Sequence, residues 1–203
     1  MNLTRKALLV VFLILIVDQT LKIVVKTHLP LGATQPVLGN WFLIRFIENP
    51  GMAFGIDIPG AIGKPALTIF RMIAAGLIGW YLHMLIKKKA SAGFVICIAM
   101  IFAGALGNII DSLFYGVIFS DSTYFETARL FPAGGGYAPL LNGRVVDMLY
   151  FPIFESTYPD WFPIWHGQKF IFFRPIFNIA DSAISVGVVS ILVFQRKYLR
   201  EFR

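Results

Sequence analysis

Asn178 and Asp181 stand three residues apart where the last apolar run begins, in Phe177-Asn178-Ile179-Ala180-Asp181-Ser182-Ala183-Ile184. At that spacing an amide and a carboxylate share one helix face. An unpaired carboxylate in lipid costs roughly 2.5–3.5 kcal/mol on insertion scales, so Asp181 calls for a partner or a task. Asn108 and Asp111 repeat the spacing at the end of an earlier apolar run. Asp147 lies in Gly143-Arg144-Val145-Val146-Asp147, and Asp18 and Lys22 sit at i, i+4 in the first apolar run, where they can pair. Two carboxylates close enough to share a proton titrate apart, one ionised and one held protonated. The first can take a proton from water; the second can polarise a carbonyl and later protonate a leaving amine. That is aspartyl proteolysis. Membrane acids also serve as proton relays, so proton-coupled transport suits the same residues. A non-catalytic membrane assembly factor is a third reading.

The elements that position these groups follow from composition. The chain has 203 residues, 57% of them hydrophobic and 14% charged, which marks a polytopic membrane protein of one domain, 1–203. Apolar runs predict four transmembrane helices at about 7–25, 66–86, 93–114 and 176–194. The first resembles a signal peptide but is too long and has no cleavage site after it, so it is read as a retained helix. Helices two and three form a hairpin across the short loop after Lys89. Segment 28–63 is rich in Gly and Pro; within it Trp41–Ile47 predicts a strand, with Gly51–Ile58 as partner. Segment 115–174 predicts irregular, aromatic-rich structure on the membrane interface, where Trp and Tyr are favoured.

Arg5-Lys6, the lysines at 87–89 and the cluster Arg196, Lys197, Arg200 and Arg203 fall on one side of such a chain. By the positive-inside rule both termini are cytoplasmic and segments 28–63 and 115–174 extracytoplasmic. The formal charge of +7 is therefore topology, not a nucleic-acid footprint. The single cysteine, Cys97, excludes an intrachain disulfide and a CxxC metal site. His28, His83 and His166 lack metal-ligand spacing and do not support a Ser-His-Asp triad. Gly134-Gly135-Gly136 lacks the setting of a phosphate loop.

This topology brings Asp18, Asp111, Asp147 and Asp181, with Asn49, Asn108 and Asn178, to one layer near the outer membrane boundary. Taken singly, each has a plainer role: an ion pair for Asp18 and Lys22, hydrogen-bond glue for the asparagines, an interfacial charge for Asp111, a loop acid for Asp147, a first-turn acid for Asp181. Arg71 either snorkels outward, the favoured role, or balances an acid. Arg144 either orients Asp147, binds a substrate carbonyl, or is a solvated loop residue.

The blocks Asp18-Gln19-Thr20-Leu21-Lys22, Glu48-Asn49-Pro50-Gly51-Met52-Ala53-Phe54-Gly55, Gly104-Ala105-Leu106-Gly107-Asn108-Ile109-Ile110-Asp111, Gly143–Asp147 and Phe177–Ile184 occur in order over nearly the whole chain. In this the chain resembles the bacterial lipoprotein signal peptidases (signal peptidase II), aspartyl peptidases of the cell (inner) membrane. The resemblance implies that Asp147 and Asp181 are the catalytic pair, without metal or cofactor. It implies that Asn49, Asn108, Asp111 and Asn178 line the site, with Asp18 and Lys22 shaping it from helix one; Arg144, from its place beside Asp147, is a further site-shaping candidate. The implied fold is membrane all-α with a small β element: four helices, an extracytoplasmic β-cradle and a second extracytoplasmic arm. The implied partners are a diacylglyceryl-modified prolipoprotein, cut before its lipidated cysteine, membrane phospholipids and globomycin-type inhibitors; a monomer is expected.

Two features depart from the family pattern. Ser112 stands where the third-helix block usually continues with arginine, so that role is either lost or carried by Arg71, Arg129 or Arg144. The stretch from Tyr115 to Asn142 is longer than a compact member needs, as a lid or a partner contact.

Overall fold

The computed structural model describes residues 1–50, 63–195 and 198. Helix α1 spans Leu3–His28 and starts at Asn2, whose side chain accepts the Arg5 N–H at 2.9 Å. It stops at Leu29, just before Pro30, which cannot continue it. Helices α2 (Gly63–Lys87) and α3 (Ala92–Ile110) form the expected hairpin, with Lys89 in a left-handed turn and the Ser91 hydroxyl capping Phe94. α3 runs into a π-helical turn, Asp111–Tyr115, and then the short α4, Gly116–Ile118. Such turns appear often at functional sites. The last helix, α5, spans Ile179–Phe194.

Three of these helices are long and apolar enough to cross a bilayer: Leu3–His28, Gly63–Lys87 and Ala92–Ile118, the last counted through the π turn. α5, with 16 residues, is about 24 Å long, against a hydrocarbon core of about 30 Å. It begins at Ile179 rather than Ile176 because Ile176–Phe177 pair as a strand and Asn178 is the helix cap. Large apolar side chains such as Phe12, Phe70 and Trp80 remain exposed on the flanks of these three helices, as apolar surface suited to lipid.

α3 is the central helix and packs against α1, α2 and α5. Its glycines allow this. A Cβ on Gly104 would lie 2.2 Å from the Ala180 carbonyl oxygen, and one on Gly107 would lie 2.7 Å from Asp18 Oδ2.

One end of the bundle carries a four-stranded antiparallel sheet in the order β1-β2-β3-β6, from β1 (Thr34–Leu38), β2 (Phe42–Asn49), β3 (Val145–Tyr150) and β6 (Ile176–Phe177). The strand expected at Trp41–Ile47 is β2. Its expected partner, Gly51–Ile58, lies outside the described residues. Its described partners are β1 and, across about a hundred positions, β3, with Ile47 opposite Asp147 and Asn49 opposite Val145.

Segment 115–174 is not irregular throughout: it contains β3 and a separate hairpin, β4 (Phe154–Thr157) with β5 (Lys169–Phe172). β3 is buried at all six positions, so its sequence shows no polar alternation that would mark a strand. In the hairpin Phe154 stacks on Phe172 at 5.0 Å.

Between helix ends and sheet lies an apolar cluster that includes Val25, Phe46, Tyr115, Phe119, Val146 and Met148. A second cluster around Leu82, Phe94, Val95, Ile98 and Ile191 fills the other end of the bundle. The polar site sits at the sheet end, where α1, α3, α5 and β3 meet.

Candidate active site

Asn178 ties the two expected catalytic acids together. As N-cap of α5 its Oδ1 accepts the Asp181 N–H at 2.9 Å, and Asp181 Oδ2 accepts the Asn178 N–H at 3.3 Å. This reciprocal capping fixes the first turn of the helix. The Asn178 side-chain amide then donates to Asp147 Oδ1 at 2.8 Å, to Asn108 Oδ1 at 3.1 Å and to the Val146 carbonyl at 3.3 Å. Asn178 is fully buried, so these bonds compete with no water.

Asn108 faces Asp181 from α3 and donates to its Oδ1 at 2.8 Å. Asn49, at the end of β2, donates to Asp147 Oδ2 at 3.3 Å. Each carboxylate thus accepts from two donors. Burial, followed by the negative charge of Asp181, raises the Asp147 carboxyl to about 7, against the pull of Asn49, Lys22 and Asn178. Asp181 is half-buried and, with Asn108 and Arg71, lines a cavity of about 270 Å³ whose other walls include Phe70, Ala74, Ala105 and Ile184. Arg71 therefore stands on the acidic cavity and faces the charges of Asp181 and Asp147, the alternative to snorkelling.

Beneath the pair lies a buried ionic knot. Lys22 Nζ contacts Asp18 Oδ2 and Asp111 Oδ2 at 2.8 Å each and donates to Asn108 Oδ1 at 3.0 Å. Lys22, Asp18 and Asp111 are completely buried. The expected Asp18–Lys22 pair is present and includes Asp111 as well. Gln19 Nε2 bridges Asp18, Asp111 and the Gly107 carbonyl at 3.1, 2.9 and 3.2 Å, while its Oε1 accepts from Tyr115. Gln19 was not singled out from the sequence; a polar residue beside Asp18 in an apolar run was the available signal.

The knot also grips the backbone. Asp111 Oδ2 accepts the Val146 N–H at 3.2 Å, and Asp18 Oδ1 accepts the Ala180 N–H at 2.9 Å. Ser112 keeps to its own helix, donating to the Asn108 carbonyl at 2.9 Å. Arg144 does not orient Asp147 directly: its Nη1 lies 2.7 Å from both Glu48 and Asp121. Among the described residues no group of three or more His, Cys, Asp or Glu is arranged to hold a metal ion.

Residues 10–196 match the family model described as Signal peptidase (SPase) II. The chain belongs to the signal peptidase II family. It is 50% identical over 184 residues to the lipoprotein signal peptidase of Porphyromonas gingivalis, covering 90% of this chain and 79% of that one. It is 35% identical over 195 residues to that of Amoebophilus asiaticus, covering 95% and 78%. Two solved structures, each described as a bacterial membrane enzyme, share the fold. One has a TM-score of 0.62 at 24% identity over 98% of this chain and 92% of that one. The other has a TM-score of 0.59 at 26% identity over 93% and 90%. Family membership makes the chain a membrane-embedded protease.

Proposed function

We propose that this chain is the membrane aspartyl endopeptidase that removes signal peptides from diacylglyceryl-modified prolipoproteins, cutting before the lipidated cysteine with Asp147 and Asp181 as its catalytic pair. Its family and its 50% identity to a lipoprotein signal peptidase support the substrate class. The observation that carries the pair is Asn178, whose side chain binds one carboxylate while its backbone N–H binds the other.

Below about pH 7 the Asp147 carboxyl retains its proton. It donates that proton to the scissile carbonyl oxygen. Asp181, on the open cavity beside Asn108, takes a proton from the attacking water. The tetrahedral carbon then collapses as the nitrogen of the lipidated cysteine is protonated and leaves. Such placed acid–base transfer accounts for roughly 10²–10⁴-fold of rate. Asn49, Asn108 and Asn178 hold the carboxylates, and Asp18, Lys22 and Asp111 hold the backbone on which they stand.

The chain crosses the bacterial cell (inner) membrane four times with both termini cytoplasmic, and α5 is the fourth span. This orientation rests on Arg5-Lys6, the lysines at 87–89 and the C-terminal basic cluster. It puts the sheet and the site at the extracytoplasmic face, where a diacyl anchor would hold the scissile bond and raise its effective concentration. The enzyme acts as a monomer among phospholipids and takes globomycin-type inhibitors at the same site. The test is incubation of the purified protein with a lipidated prolipoprotein peptide. Cleavage before the lipidated cysteine, blocked by globomycin, is expected; solute flux in proteoliposomes with an intact peptide would refute it.

A further inference from the structure

The long stretch after Tyr115 folds back on itself. Phe119 bridges to Leu130, Ser120 N–H bonds to the Arg129 carbonyl at 2.9 Å, and the turn closes with the Thr123 hydroxyl accepting the Glu126 N–H at 2.9 Å. The resulting strap is anchored to α1 and to the turn after it, with Ala128 N–H on the Lys26 carbonyl at 3.1 Å and Leu31 N–H on the Thr123 carbonyl at 2.8 Å.

Its Asp121 and Ser122 meet a second ionic cluster. Glu48 pairs with Lys26, accepts Ser122 Oγ at 3.0 Å, and accepts Arg144 Nη1 at 2.7 Å through its other oxygen. Arg144 Nη1 also bonds Asp121 at 2.7 Å, and its guanidinium lies 4.7 Å over the Tyr137 ring. The Lys26 side chain is fully buried and that of Glu48 nearly so. None of these groups bonds a catalytic carboxylate. Glu48, however, immediately precedes Asn49 on β2, and alternate strand residues point to opposite faces. The carboxylate that faces the strap thus fixes the strand whose next side chain faces Asp147.

We propose that Arg144 is a positioning residue, which clamps Glu48 between Lys26 and the strap and so holds Asn49 in hydrogen-bond reach of Asp147. This rests on Asp147 being a working carboxyl of the site. A donor to the charged form favours ionisation, so loosening Asn49 makes Asp147 hold its proton to higher pH. Around Asp147 the other charged groups are Asp181 from α5, Lys22 from α1 and Arg71 from α2. Around Arg144 and Glu48 they are Lys26, Lys64 and Asp121. Arg144→Met leaves the first set unchanged.

The experiment is an infrared titration of the purified protein in detergent, with the Asp147 carboxyl band assigned by its loss in Asp147→Asn. Arg144→Met should raise the midpoint by about half a unit or more, as should Asn49→Ala. Added to Asn49→Ala, Arg144→Met should move it no further. Arg144→Lys should restore part of the wild-type value. Asp121→Asn, at an exposed position, should shift it in the same sense by less, and carries the test if Arg144→Met does not fold. An unmoved midpoint in the folded variants, or an equal shift with and without Asn49, overturns the proposal. Cleavage measured in parallel judges the catalytic role separately: an inactive Asp147→Asn supports it, and an active one removes that role while the titration still decides the positioning.

Discussion

The carboxylate of Asp18 accepts the backbone N–H of Ala180 at 2.9 Å, one residue before Asp181 and 162 positions away in sequence. Asp111 does the same for Val146, one residue before Asp147. Lys22 lies between Asp18 and Asp111 at 2.8 Å from each. One buried cation thus holds two anions, and each anion holds the backbone next to one acid of the proposed pair.

Breaking this arrangement is expected to cost both stability and geometry. Asp18→Ala leaves Lys22 with a single buried counter-charge and the Ala180 N–H without its acceptor. Removing one partner of a buried pair costs roughly 3–5 kcal/mol, and Asp111 reduces that toward the lower end. Asp18→Asn keeps an acceptor for Ala180 and should lose less. Thermal unfolding in detergent should rank wild type above Asp18→Asn above Asp18→Ala.

The pH profile follows from Asp147. Its carboxyl is raised from 3.8 to about 7, chiefly by burial and then by the charge of Asp181. In the proposed mechanism the proton that Asp147 donates is present below that value and lost above it, so kcat should decline as pH rises through about 7. The sign for stability agrees. The unfolded chain releases this proton near 3.8 and the folded chain near 7, so this group's contribution is full below about 4 and disappears by about 7. A rate that climbs from pH 6 to 8 would contradict the assignment.

The glycines of α3 set how closely α5 approaches. A Cβ at Gly104 meets backbone, the Ala180 carbonyl at 2.2 Å, which cannot swing aside as a side chain could. Gly104→Ala should destabilise by at least the roughly 1–3 kcal/mol typical of overpacking. It should also lower cleavage by more than tenfold, because Asn108 and Asp181 move apart. Unfolding and cleavage measured on the same preparation test both.

Restoring the family's usual arginine should not help this chain. Ser112, in the π turn, is 1% exposed and donates its hydroxyl back to the Asn108 carbonyl of α3. Ser112→Arg puts a large cation into a filled space, and the expected result is a lower unfolding temperature with no gain in kcat. An active, equally stable Ser112→Arg protein would mean the turn has room for it.

The sequence made the helices and the acids legible and left much of the sheet hidden. The i, i+3 pairs Asn108/Asp111 and Asn178/Asp181 place amide and acid on one face, and long apolar runs mark α1 to α3. Asp147 was harder. Its strand, Val145–Tyr150, is buried on both faces and carries no alternation, and it pairs with β2 across about a hundred positions. Spacing therefore left Asp147 and Asp111 equivalent; only the family's motifs separated them. Asp111 proves to be bound by Lys22, Gln19 and Val146. For Arg144 the sequence left orienting Asp147, binding a substrate carbonyl and a solvated loop position open; its partners Glu48 and Asp121 come from two other segments that no local pattern connects. Lys26, one turn beyond Lys22 on the same face of α1, was the legible trace of that second cluster.

The central claim is that Asp147 and Asp181 act together as the catalytic pair. Its most direct test is cleavage of a lipidated prolipoprotein peptide by purified Asp147→Asn and Asp181→Asn, each first checked for membrane insertion and wild-type unfolding. Neither variant should release the signal peptide, while wild type releases it fully. Full processing by either one would contradict the pair.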